Sequence, residues 1–170
     1  MTRRLILVRH AKSDWGTAGL SDHDRPLNAR GRRSAPRIGA WLAGGGFVPD
    51  QVLCSTARRT QETWAGIAAH LPKSPAPHLE PRLYHATPEV LRAVIDAAEG
   101  RTIAVIGHNP GIGALAHLIA DVAPQHAAFD LYPTGATTVF EMPGGTWPEI
   151  ALGAGRVLAF GVPRDLPDPA

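Results

Sequence analysis

The segment Arg4-Leu5-Ile6-Leu7-Val8-Arg9, with His10 directly after it, reads as a short buried strand. Four successive branched aliphatic residues bounded by charge need cover from neighbours, as a strand inside a sheet receives it. Working outward, residues 11–27 are polar and turn-rich and read as a loop. Asn28 is placed to cap a helix running to about Ala43, with Ile38, Trp41 and Leu42 at helical spacing, and Gly44-Gly45-Gly46 ends it. Gln51–Cys54 reads as a second strand, after which Ser55 or Thr56 caps a helix through about Leu71. Residues 72–82 are Pro-rich and extended. Pro88 opens a helix over 88–99 with Val90, Leu91, Val94 and Ile95 on one face. Thr102–Ile106 is the clearest buried strand, and Pro110–Ala120 a helix rich in Ala, Leu and Ile. Thr137–Met142 and Arg156–Val162 read as strands separated by the turn signal Gly144-Gly145.

Strands alternating with helices predict an α/β fold: a three-layer α/β/α sandwich with a mainly parallel sheet. The last two strands have no helix between them, so an antiparallel edge is expected. The 170 residues show no repeat and no low-complexity linker, which suits a single domain over 1–170 with an irregular tail over 163–170.

Composition narrows the partners. Seventeen Lys and Arg against fifteen Asp and Glu give a net charge of +2, too balanced to argue for nucleic acid. Only Lys12 and Lys73 are lysines; the other basic residues are arginines, whose planar guanidinium suits bidentate phosphate contact. The single cysteine, Cys54, allows no internal disulfide and reads as a buried structural thiol. Leu5–Val8 is too short for a signal core, and no apolar stretch is long enough for a membrane span. A cytoplasmic protein without membrane attachment is expected.

In such a sheet, ligands gather beyond the carboxyl ends of the strands. Three of those ends carry unusual residues: Arg9-His10, then Cys54-Ser55-Thr56-Ala57-Arg58-Arg59, then Gly107-His108-Asn109-Pro110. Two imidazoles and one or two guanidiniums would converge on one mouth. Phosphoryl transfer needs cations on the nonbridging oxygens and an in-line nucleophile, and a neutral imidazole nitrogen is a competent nucleophile near pH 7. Helix N-termini after residues 56 and 109 add backbone N–H groups suited to an anion. No matching set of carboxylates or cysteines is present for a metal, so chemistry without metal or cofactor is favoured.

These segments resemble the histidine phosphatase (phosphoglycerate mutase-like) superfamily, and within it the small phosphohistidine phosphatase, SixA-like branch. The resemblance rests on Arg9-His10-Ala11-Lys12-Ser13-Asp14-Trp15, on Asp24-Arg25-Pro26-Leu27-Asn28 with Arg30-Gly31, on Ser55-Thr56-Ala57-Arg58-Arg59 with Thr63, and on Gly107-His108-Asn109-Pro110. It implies that His10 is the nucleophile that becomes transiently phosphorylated, with Arg9 binding phosphoryl oxygens and orienting it. The family register, four residues after the serine and four before the threonine, selects Arg59 over Arg58 as the second arginine. His108 would be the second histidine of the phosphate pocket. Arg25 would be a further phosphate ligand; the other reading is a salt bridge to Asp22 or Asp24 that braces the loop. Ala11 stands where the family signature has glycine. The general acid is the other departure: Leu83-Tyr84-His85 leaves His85 near the position of the usual Glu, either as a proton donor or as a surface histidine.

A weak or missing acid fits phosphohistidine as substrate, because its labile P–N bond needs less protonation than an alkyl ester. The chain also has no insertion large enough for a cap, so the pocket would admit a side chain of another protein. The expected activity is therefore a metal-independent phosphatase acting on a phosphorylated protein. A small-molecule phosphomonoesterase and a catalytically silent phospho-ligand binding module are the alternatives. Gly111-Ile-Gly113-Ala-Leu-Ala116 matches a loose dinucleotide fingerprint but reads better as helix–sheet packing. His23 between Asp22 and Asp24 reads as a solvated acidic loop rather than a metal site. His70, His78, His117 and His126 show no ligand spacing; Trp15, Trp41, Trp64 and Trp147 read as packing residues, the pocket rim being the other reading for Trp15.

Overall fold

The computed structural model describes residues 1–170. Six strands form one sheet: β1 (Arg3–Arg9), β2 (Gln51–Cys54), β3 (His78–Leu79), β4 (Thr102–Gly107), β5 (Thr137–Met142) and β6 (Arg156–Gly161). Their order is β3-β2-β4-β1-β5-β6. The first four run parallel, while β5 pairs antiparallel with both β1 and β6. The helices are α1 (Ala29–Gly44), α2 (Arg58–Ala68), α3 (Pro88–Asp96), α4 (Gly111–Ile119) and α5 (Ala128–Leu131).

The central place of β1 explains its sequence. Leu5 and Leu7 face one core with Leu91, Ile112, Leu115, Phe129 and Tyr132, so α3, α4 and α5 cover that side. Ile6 and Val8 face the other with Ile38, Leu42, Trp64 and Ile67 from α1 and α2. Successive side chains of a strand point to opposite faces, so a strand buried on both must be apolar throughout. The expected three-layer α/β/α sandwich with its antiparallel edge is the observed architecture.

Local chemistry sets the helix boundaries. The Asn28 side chain accepts from Gly31 N–H at 2.9 Å and starts α1. Where α1 meets α2, a Cβ on Gly39 would lie 2.3 Å from the Ile67 carbonyl oxygen, so only glycine allows that approach. Neither Ser55 nor Thr56 caps α2, contrary to expectation. The helix starts at Arg58 after Ala57, because Thr60 Oγ1 donates to the carbonyls of Ser55 and Ala57 and draws that segment into a turn. Turn hydrogen bonds from His70 and Leu71 then end α2 at Ala68 rather than Leu71. Helix α3 stops at Asp96 rather than 99, where the Ala97 N–H turns back to Ile95 O.

Three local elements are additional. Residues 72–82 contain β3, paired parallel with β2, and lead into a 3-10 turn at Pro81–Leu83. Helix α5 lies in the segment between α4 and β5. The tail begins with a 3-10 turn at Pro163–Asp165, and Asp168 pairs with Arg37 at 2.7 Å; only the rest is irregular. No helix is long and apolar enough to cross a membrane.

Candidate active site

Register places the site. Arg9 aligns with Gly107, and Cys54 with Ile106, so the residues following β1, β2 and β4 emerge at one edge of the sheet. There the His10 N–H donates to Gly107 O at 3.0 Å. The next N–H, of Ala11, donates to Thr63 Oγ1 at 2.9 Å, and Thr63 donates to Arg59 O at 2.7 Å. Thr63 thereby ties the histidine turn to α2. Ala11 is completely buried, which explains why only a small residue fits after His10.

The tautomer of His10 follows from its partner. Nδ1 lies 2.7 Å from Ala11 O, a carbonyl that can only accept, so Nδ1 carries the hydrogen and Nε2 keeps its lone pair. Burial, together with the charges of Arg59, Arg9 and Arg25, lowers the His10 pKa to about 4, although the Ala11 hydrogen bond pulls the other way. His10 is therefore neutral at pH 7 with Nε2 unprotonated.

The same logic applies to His108, whose ring centroid is 5.3 Å from that of His10. Arg59 Nη2 is 3.3 Å from Nδ1 and can only donate, so Nδ1 accepts and Nε2–H donates to Ser55 Oγ at 2.8 Å. Burial, followed by the neighbouring His10 and Arg59, lowers its pKa to about 2.

Arg59 points inward from the first turn of α2 and is 2% exposed. Arg58 points outward and pairs with Glu62 at 3.0 Å. Nη1 of Arg59 donates to Asp22 O at 2.7 Å, and Nη2 to Asp22 Oδ2 at 3.1 Å. Arg9 Nη1 donates to Tyr132 O at 3.1 Å. In both arginines Nε is buried and has no partner. Both guanidiniums are close enough for their charges to act on His10, and each keeps one buried N–H donor without a partner.

For Arg25, the bracing contact is present. Nε and Nη2 donate to Asp22 Oδ1 at 3.2 and 3.0 Å, and Nη1 to Ser13 Oγ and Asp14 O. Its guanidinium stacks over Trp15 at 3.5 Å from the ring centroid, so Trp15 is an exposed residue beside this cluster and not a core packing residue. His85 reaches the mouth from a left-handed backbone position, φ 51. Its Nε2 lies 3.4 Å from both Asp22 Oδ2 and Arg59 Nη2, and its side chain is 58% exposed.

Residues 5–86 match the profile of the histidine phosphatase superfamily (branch 1). An uncharacterized protein of Mycobacterium tuberculosis is 37% identical over 166 residues, spanning 92% of this chain and all of that one. A candidate phosphohistidine phosphatase SixA of Nakamurella multipartitia superposes with a TM-score of 0.78 at 30% identity, over 96% of this chain and 97% of the other. The chain belongs to the histidine phosphatase superfamily. A second candidate SixA structure, from Agrobacterium tumefaciens, gives a TM-score of 0.76 at 26% identity, covering 94% and 97% of the two chains.

In this histidine phosphatase, Asp22 does more than the sequence indicated, where it is one of two possible salt-bridge partners of Arg25. Its carboxylate takes hydrogen bonds from Arg25, Arg59 and the Tyr84 hydroxyl, and lies against His85. Partial burial works against its charge, but the bonds from Tyr84, Arg25 and Arg59 outweigh it and hold the carboxyl below the usual range. Of the two carboxylates offered for Arg25, Asp22 is the one used, and nothing local suggested that Arg59, 37 residues on, shares it. A cavity of about 500 Å³ lies beside the cluster, lined by His23, Asp24, Thr56, Arg58, Gln61 and Glu62 among others. His23 lies on Tyr84 at 4.9 Å between ring centroids and bonds Thr56 at 2.9 Å. No group of three or more His, Cys, Asp or Glu is arranged to hold a metal ion. Cys54 is fully buried, and burial raises its thiol to about 12, too high for a thiolate at pH 7.

Proposed function

We propose that this histidine phosphatase is a metal-independent hydrolase that passes the phosphoryl group through His10 and removes it from phosphohistidine in a protein. The observation that carries this is an unprotonated His10 Nε2 within the field of Arg9 and Arg59, each of which keeps a buried, unpartnered Nε donor. Such charges are available to the oxygens of a bound phosphoryl group.

In the first step, the lone pair of His10 Nε2 attacks phosphorus, the bond to the substrate nitrogen breaks, and that nitrogen leaves with the bonding pair. In the second, water attacks phosphorus, the P–Nε2 bond breaks, and the proton released from water passes to a base at the mouth. Arg9 and Arg59 hold nonbridging oxygens throughout. Arg59 keeps both Nη contacts to Asp22 while offering Nε. His108, held neutral, accepts from Arg59 at Nδ1 and helps hold that guanidinium in place. His85 stands where it can give and take the proton, with Asp22 beside it. Arg25 contributes its charge and braces Asp22.

Only short helices and turns connect the strands, with no large insertion among them, which supports access by a side chain on another protein. The SixA-type relatives support the same substrate class. The sheet draws strands from residue 3 to residue 161, supporting a single catalytic domain, and the lone buried Cys54 fits a reducing cytoplasm. The test is a side-by-side comparison of turnover on a phosphohistidine protein and a panel of small phosphate esters. Faster phosphohistidine turnover is expected. Faster ester turnover would reassign the enzyme as a phosphomonoesterase, and binding without any turnover would make it a silent phospho-ligand module.

A further inference from the structure

Arg9 differs from the other arginines of the cluster in what holds it. Arg25 and Arg59 rest on the Asp22 carboxylate, whereas Arg9 rests on a neutral group, the backbone oxygen of Tyr132. That oxygen also accepts from Asn109 Nδ2 at 2.9 Å. It is aimed at Arg9 because Tyr132 ends α5 in the left-handed region, φ 46 and ψ 65. Residues with a Cβ avoid this region, and such strain persists only where the surroundings over-determine it.

Those surroundings are visible. The Tyr132 ring is fully buried; its hydroxyl donates to Leu7 O at 3.1 Å and lies 2.8 Å from Thr138 Oγ1. Asn109 is fixed in turn, since its Oδ1 accepts from Gly113 N–H at 3.1 Å. Glycine is needed there: a Cβ at residue 113 would come within 2.9 Å of Asn109 Oδ1 and 3.0 Å of Tyr132 Cβ.

We propose that Asn109 and the strained Tyr132 carbonyl form an uncharged clamp that positions Arg9 for the phosphoryl group. A carboxylate in that place would orient Arg9 equally well but would neutralise it. A carbonyl fixes the guanidinium and leaves its full charge for the incoming anion. Asn109 is a positioning residue acting through Tyr132. The proposal rests on the reading that Arg9 binds phosphoryl oxygens.

The test uses Asn109→Ser and Asn109→Asp in the full chain. Serine and aspartate both keep an oxygen for Gly113 N–H, and both remove the amide donor that reaches Tyr132 O; aspartate has no donor left, and the serine hydroxyl is one atom shorter. The readouts are inhibition by inorganic phosphate, the split between KM and kcat on a small phosphate ester, and the thermal unfolding midpoint. The proposal expects each variant to raise the phosphate inhibition constant and KM by about tenfold, with a smaller change in kcat and a near wild-type midpoint. If Asn109→Ser does not fold, Asn109→Asp is read alone, and wild-type phosphate inhibition in it overturns the clamp. Wild-type inhibition and KM in Asn109→Ser overturn the clamp even if Asn109→Asp is weakened, because the added charge alone then explains the loss. A wild-type enzyme with neither turnover nor phosphate inhibition would overturn the functional reading itself, and the clamp with it.

Discussion

Arg59 and Asp22 are joined twice: Nη1 reaches the Asp22 backbone oxygen at 2.7 Å, and Nη2 reaches Oδ2 at 3.1 Å. The double contact fixes one edge of the guanidinium and leaves Nε as the free donor. Replacing Asp22 with Asn removes the charge but keeps a hydrogen-bonding group of the same shape. Asp22→Asn is expected to lower kcat/KM by roughly 10-fold and Asp22→Ala by more, through lost orientation of Arg59 and His85. Steady-state kinetics on a phosphate ester check this. Wild-type rates in Asp22→Ala would show that the contact is not used.

Arg58 and Arg59 are adjacent in sequence but point in opposite directions. Arg59→Ala should lose about 10²–10³ in kcat/KM, the scale of a preorganised charge at a transition state. Arg58→Ala removes an exposed i,i+4 ion pair and should stay within about twofold. The reverse result would shift the register of the pocket by one residue.

His85 is expected to matter according to the leaving group. On an alkyl phosphate ester, whose alkoxide needs a proton, His85→Ala should cost on the order of 10²-fold in kcat. On a phosphohistidine protein the cost should be only a few-fold. Equal losses on both substrates would remove His85 from the role of proton donor.

The two pocket histidines give the protein a signed pH dependence. Their folded pKa values, about 4 for His10 and about 2 for His108, lie below the unfolded value near 6.5. As pH falls below the unfolded value, the unfolded chain takes up protons that the folded chain does not. Stability from this source is therefore full above about pH 6.5 and declines as pH drops toward 4. Thermal unfolding midpoints should fall between pH 7.5 and about pH 4.5, and fall less in His108→Gln. Asp22 has the same sign at lower pH: its contribution is present above its unfolded value and lost as pH drops through the depressed folded one. In activity, kcat/KM should hold level down to about pH 5 and decline below it with an apparent pKa near 4 as His10 takes up a proton.

The layers and the mouth of the site were legible because they depend on short-range pattern. The aliphatic run Leu5–Val8, the capping Asn28 and the two strands joined without a helix each carry their own signal. Arg9-His10 and His108 sit immediately after strands, so their convergence followed from topology alone. Asp22 was legible only as one of two possible partners of Arg25, because its other partners Arg59, Tyr84 and His85 meet it only after α2 and the 3-10 turn at Pro81–Leu83 have packed. The start of α2 was misplaced for a related reason. Ser55 carries the expected capping hydroxyl, but His108 and Ala57 N–H hold it in the site instead.

The most direct measurement is of the covalent intermediate. The enzyme is mixed with a radiophosphate-labelled phosphohistidine protein, quenched within its first turnover in base, where phosphohistidine survives, and mapped by peptide. The prediction is label on the peptide containing His10, lost on acid treatment and absent from His10→Ala, which also releases no phosphate. Phosphate release by a folded His10→Ala variant at the wild-type rate would contradict the mechanism.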